Sequence, residues 1–232
     1  MKLETGNRKV VFSYTDAVKR RVTWLAFYAV AMAYVESAVV VYLRAIYYPH
    51  GFDFPLVVMP RGMAAIEIGR EAATLIMLLT VAMVAGADRW ERFLAFCLSF
   101  GVWDLFYYAW LWVFVRWPPS LVTWDVLFLI PVPWIAPVLA PMLVSGVLVA
   151  ASLWLLRLKA QGVRLGFSAS LWTLAVTGGL LVLASFMIDF ASVLRQMMPP
   201  PFHWGVFALG LGLAMIALVI GILRLDHASG AV

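Results

Sequence analysis

The chain has 232 residues, 65% of them hydrophobic and only 12% charged, with a mean hydropathy of +0.96. A soluble domain of this length carries about twice that share of charge, so composition excludes an ordinary soluble protein and predicts an all-α, polytopic integral membrane protein, read as one domain over residues 1–232. The net charge of +5 sits mainly at the ends of apolar runs, where membrane topology places Lys and Arg. It is therefore no nucleic-acid signal, and the lone Cys97 excludes an intramolecular disulfide.

Residues 1–14 read as a cytosolic tail lying on the membrane surface through Val10, Val11 and Phe12, without the apolar core of a signal peptide. Thr15 reads as the N-cap of the first helix, with Asp16 in its first turn. The first span is expected over about 22–43 and carries Glu36, with Arg44 two turns on and Tyr47-Tyr48-Pro49-His50-Gly51 as its interfacial end. Span two, 62–86, opens with Glu67, Arg70 and Glu71, which share one helical face because they lie three and four residues apart. A charged turn, 88–92, leads to span three, 93–115, with Gly101, Asp104, Tyr107 and Tyr108 on neighbouring faces.

Residues 120–130 form an apolar piece fenced by Pro118-Pro119 and by Pro131 and Pro133, and it holds Asp125. It is too short to span and too apolar for a solvated loop, which predicts a re-entrant or interfacial half-helix capped by Ser120. Span four is expected over about 134–156, with Pro137 and Pro141 near its start. Span five, 168–196, carries Ser185, Asp189, Ser192 and Gln196 at helical spacing. Span six, 205–223, has no charge and contains the small-residue pairs Ala208/Gly212 and Gly210/Ala214, which suit close helix packing. Of the 17 Lys and Arg residues, all but Arg44, Arg61, Arg70, Arg116 and Arg195 fall on one side of this six-span arrangement. That bias predicts cytosolic N- and C-termini in a plasma (inner) membrane.

Depth is the informative calculation. Measured from the outer end of each helix, Glu67 lies about 8 Å deep, Asp189 about 10, Glu71 about 13, Glu36 about 15 and Asp104 about 18. With Asp125, six carboxylates from five elements occupy one outer-half layer, bordered by arginines, and the inner half holds none. Ionised side chains in hydrocarbon are expensive and mark function by default. The candidate binding residues are therefore Glu36, Glu67, Arg70, Glu71, Asp104, Tyr108, Asp125 and Asp189, with Arg44, Arg116 and Arg195 at the border. Glu36, Glu67, Glu71, Asp104 and Asp189 are expected to surround one cavity with Asp125 at its lid.

Three functions fit this pattern. The first is binding or transport of a small cation, proton or polar solute by the carboxylates. The second is an intramembrane enzyme acting on a lipid from the outer leaflet, with carboxylates for acid–base work and arginines for a lipid headgroup. The third is a non-catalytic subunit whose charged layer is a structural ion-pair network, or receives a partner membrane subunit. The residue three after Glu67 is Arg70, so the Glu-x-x-His pattern of di-iron bundles is absent, and no histidine lies within an expected span to ligate haem. His50 and His203, with nearby Met59, Met63, Met197 and Met198, are the weak metal candidates, interfacial anchoring being the blander reading. No cofactor is implied.

Overall fold

In the computed structural model, the backbone is described for residues 2–229 and side chains for residues 16–225. The elements are α1 (Lys2–Tyr47), α2 (Arg61–Ala85), α3 (Arg89–Val115), β1 (Trp124–Phe128), β2 (Trp134–Pro137), α4 (Leu139–Ala160), α5 (Ala169–Met187), α6 (Phe190–Leu194) and α7 (Trp204–Ser229). Six helical stretches among the described residues are long and apolar enough to cross a membrane: Asp16–Tyr47, Arg61–Ala85, Arg89–Val115, Leu139–Ala160, Ala169–Leu194 and Trp204–Leu225. The all-α, multi-pass architecture expected from composition is the one observed. The helix begins upstream of Thr15, so Thr15 is not its N-cap. The expected surface contacts of Val10, Val11 and Phe12 lie outside the described side chains.

α3 is the hub. It packs against α1, α2 and α4, while α5 and α7 form a second close pair joined to the rest through α4 and β2. α3 starts cleanly because Asp88 caps it, its Oδ1 accepting from the backbone N–H groups of Trp90 (2.9 Å) and Glu91 (3.0 Å). The α5–α7 pair is close because glycine leaves room for backbone. A Cβ placed on Gly178 would lie 2.5 Å from the Gly210 carbonyl oxygen and 2.7 Å from the Ala214 nitrogen. Of the two small-residue pairs in the last span, Gly210/Ala214 thus forms the seam, whereas Ala208 is exposed and Gly212 has open space around it.

The half-helix expected at 120–130 is a correction. Those residues instead enter a two-stranded antiparallel hairpin, with Trp124 opposite Pro137, Asp125 opposite Ala136 and Val126 opposite Ile135. The pairing continues as Val138 N–H donates to the Thr123 carbonyl (2.9 Å) and Leu139 N–H to the Leu121 carbonyl (2.8 Å). Prolines 131 and 133 reverse the chain. Residues 134–137, expected as the start of span four, become the second strand, so α4 begins five residues later, with Pro141 in its first turn where no N–H is needed. An isolated half-helix would leave backbone groups unpaired at both ends, and the hairpin pairs many of them internally. Ser120 caps a turn instead, its hydroxyl accepting from the Val122 N–H (3.2 Å).

The hairpin turns back among the helices. Phe128 packs against Trp103 of α3 and belongs to a cluster with Ala29, Ala33 and Leu78. Trp103 lies twelve residues from the end of α3, so the hairpin tip reaches about 18 Å along that helix, more than half of a hydrocarbon core about 30 Å thick.

A second correction concerns the opposite end of the bundle, which the depth calculation leaves without acids. Glu91 is only 3% exposed there. Arg21 of α1 donates to it (2.6 Å), as do the Ala87 N–H (2.9 Å) and Lys159 of α4 (3.2 Å), and Lys159 also pairs with Asp88. This network ties α1, the α2–α3 turn and α4 together. The Lys159 bond also holds the Asp88 carboxyl below its usual pKa.

The packing makes a direct prediction. Gly178→Val should destabilise the protein by about 1–3 kcal/mol, the usual cost of overpacking, whereas Gly212→Ala should be close to neutral. Thermal unfolding in detergent, read from helix content, checks both.

Candidate functional site

At the end of the bundle where α1 and α3 finish and α2 begins lies a cavity of about 150 Å³. Its lining includes Glu36 and Arg44 of α1, Glu67, Arg70 and Glu71 of α2, Asp104, Tyr107 and Tyr108 of α3, and Asp125 of β1. Five of the six carboxylates expected to converge therefore do so, and so does Tyr108. All five are at least nine-tenths buried, from Asp125 at 1% exposed to Asp104 at 9%.

Each carboxylate is positioned by its own element. Arg70 is the central cation: it pairs with Glu67 one turn before it and reaches across to Glu36 on α1. Its Nε donates to Glu67 Oε2 at 3.0 Å. Glu36 also accepts from the Thr74 hydroxyl (2.9 Å). Thr74 continues the stripe of Glu67, Arg70 and Glu71 at helical spacing. Glu71 Oε2 accepts from the backbone N–H of Leu129, just beyond β1, at 2.8 Å. Asp104 Oδ2 accepts from the Ser145 hydroxyl of α4 at 2.7 Å. That contact depends on Gly101, one turn earlier, where a Cβ would lie 2.8 Å from the Ser145 carbonyl oxygen.

Asp125 faces Arg44, whose guanidinium donates at 3.2 Å and is stacked over Phe52 (4.2 Å to the ring centre) and Trp117 (3.8 Å). The hairpin register turns Asp125 toward the bundle. Burial raises its carboxyl from 3.8 to about 6, with Arg44 opposing that rise. The Val126 N–H and the Tyr108 hydroxyl also hydrogen-bond to the Asp125 carboxylate.

The charges do not balance. The lining carries five carboxylates and two guanidiniums, a formal excess of three negative charges. Ion pairing accounts for Glu36, Glu67 and Asp125. Glu71 and Asp104 form no ion pair among the described residues, and each is held by one neutral donor on one oxygen.

The remaining residues expected at the site lie elsewhere. Asp189 falls at the break between α5 and α6 and pairs with His203 (3.0 Å). The depth calculation assumes one continuous helix through 196, and the break removes that register. Arg116 is an exposed, left-handed C-cap (φ 55°) lying 4.3 Å over the Trp112 ring, and Arg195 is likewise exposed. Of the weak metal candidates, His50 is exposed and His203 is engaged by Asp189. Among the described residues no three His, Cys, Asp or Glu side chains are grouped closely enough to hold a metal ion.

The aromatic wall is the part of the site that sequence reasoning misses. Tyr47, Tyr48, Phe52, Trp103 and Tyr107 line the cavity, although aromatics at span ends read as interfacial anchors. The mouth is formed by the loop between α1 and α2, where Tyr48 Oη accepts from the Val57 N–H (2.8 Å) and Val57 remains 46% exposed.

Comparison with protein-family models, with curated proteins and with solved structures finds no match for this chain.

The Asp125 environment gives a pH prediction. A carboxyl whose pKa is raised by folding holds its proton more tightly in the folded state. Its favourable contribution is complete below its unfolded pKa and is lost as pH climbs through the folded value. From about pH 4 to pH 7, the wild type should therefore lose stability relative to Asp125→Asn. Parallel melting-temperature curves for the two proteins over that range would contradict the assignment.

Proposed function

We propose that this multi-pass membrane protein binds a small cation or a proton in the carboxylate cavity, with Glu71 and Asp104 as the groups that receive it. The observation that carries this reading is the charge excess. Two buried carboxylates face a cavity without an ion-pair partner among the described residues, where the cost of leaving them ionised is several kcal/mol each. Either a proton or a bound cation removes that cost. A purely structural ion-pair network accounts for Glu36–Arg70–Glu67 and for Arg44–Asp125 but leaves the charges of Glu71 and Asp104 outside any ion pair. In this reading the two arginines are internal counter-ions that fix carboxylate positions, which leaves them poor receptors for a lipid headgroup. Among the three functions weighed from sequence, cation or proton binding is accordingly favoured.

The basic asymmetry of the chain supports a placement of both termini in the cytosol, with the cavity opening toward the other face of a plasma membrane. Fusion reporters at Gly162 and Pro200 should then report opposite sides, Gly162 cytosolic. Reports from the same side would overturn the topology.

The binding reading is tested by equilibrium dialysis of the purified protein against labelled sodium, rubidium and calcium ions, combined with infrared spectroscopy of the carboxylic C=O stretch. Either stoichiometric cation binding or a protonated-carboxyl band at neutral pH is expected, and Glu71→Gln with Asp104→Asn should remove it while the protein still elutes as a folded species. A wild type with neither signal would exclude the proposal.

A further inference from the structure

We infer that the cavity takes a small organic ammonium ion with an apolar body, rather than a bare metal ion. This rests on the cation-binding reading above and adds the chemical class of the ligand.

Three observations separate the classes. First, the carboxylates are spread over four elements, and among the described residues they do not gather into a metal-binding group. A metal ion needs several oxygens converging at short range, whereas an ammonium ion donates individual hydrogen bonds in several directions. Glu71 and Asp104 are each more than nine-tenths buried and use only one oxygen on a protein donor. Each therefore keeps a second carboxylate oxygen as an acceptor.

Second, the cavity has an apolar lining beside its charged one. Val40, Leu43, Leu56, Val57 and Met59 line it and are less buried than the carboxylates. A cavity of about 150 Å³ is the size of an apolar void that accepts benzene, so there is room for a ring or short chain behind an ammonium group. Tyr47, Tyr48, Trp103 and Tyr107 add π-faces of the kind that attract organic cations. The chain already uses this chemistry on itself: the Arg44 guanidinium lies between Phe52, Trp117 and the Asp125 carboxylate.

Third, the mouth suits an amphiphile. Val57 and Val58 of the α1–α2 loop are 46% and 64% exposed. Apolar side chains exposed beside a cluster of tyrosines belong at a membrane interface, where amphiphilic amines concentrate. A ligand arriving there would pass the apolar side chains and place its ammonium group against Glu71 or Asp104.

Isothermal titration of the full chain in mild detergent tests this with benzylammonium, methylammonium, benzyl alcohol, and sodium, potassium and calcium chlorides. Benzylammonium should bind at one site, and benzyl alcohol, which keeps the ring and loses the charge, should bind roughly tenfold more weakly or worse. Glu71→Gln and Asp104→Asn should each weaken benzylammonium by a similar factor. Val57→Asn, at an exposed position where folding is not at stake, should weaken benzylammonium and leave methylammonium unchanged. Binding of the inorganic ions but not of benzylammonium would overturn the organic-cation class and leave the broader cation reading standing. Equal binding of benzyl alcohol would overturn the role given to charge here. Silence from every probe would overturn the inference, and the infrared measurement above would then decide the broader reading alone.

Discussion

A carboxylate inside a membrane bundle must be paired, protonated or solvated, because hydrocarbon offers it nothing. The cavity end of this protein is organised by that constraint. Arg70 answers it for two acids at once, and in doing so it bridges α1 and α2 across the cavity. Arg44 answers it for Asp125 and, through its stacking on Phe52 and Trp117, fastens the hairpin to the α1–α2 loop and to the residues following α3. Glu71 and Asp104 form no ion pair among the described residues and accept from a backbone N–H and a serine hydroxyl. The constraint is left half met at those two residues.

The same constraint explains why a β-hairpin can exist here. Open strand edges are not tolerated against lipid, but they are where the edge is covered by protein or faces a polar cavity. Beyond the internal pairing of β1 and β2, the next free N–H, that of Leu129, is taken by Glu71. Aromatic packing covers the rest: Phe128 and Trp134 lie together between Trp103 of α3 and Phe186 of α5. One side of the hairpin thus completes the cavity and the other joins the α5–α7 pair to the bundle. This position also separates Asp189 from the other acids.

Hydropathy makes six spans legible, and the i, i+3, i+4 stripe of Glu67, Arg70 and Glu71 makes the site's centre legible, because both signals are local in sequence. Depth counting places Glu36 and Asp104 at the same level because helix rise is constant. It fails at Asp189, where the helix breaks after Met187 without a proline or glycine to announce the break. The hairpin is hidden for a related reason. A short apolar run fenced by prolines reads alike for helix and strand, and only pairing with residues 134–137, themselves apolar enough to pass for the start of a span, distinguishes the two. Arg116 and Arg195 sit at the right level but outside the cavity, since distance along a helix fixes depth and says nothing of the direction a side chain takes after the helix ends. Glu91 escapes notice because a charged turn reads as solvated, whereas Arg21 and Lys159 arrive from distant helices to bury it.

The central claim is that Glu71 and Asp104 carry charge that the protein does not itself neutralise. Its most direct measurement is the thermal stability of the wild type and of the Glu71→Gln/Asp104→Asn double variant, in detergent at alkaline pH and without added amine. Gln and Asn keep a carbonyl oxygen for the Leu129 N–H and the Ser145 hydroxyl, so the substitutions remove charge while preserving both hydrogen bonds. The account predicts that the double variant is the more stable of the two and that the difference narrows as the pH is lowered. A double variant less stable than the wild type at every pH would show that these carboxylates hold the fold together, and would contradict it.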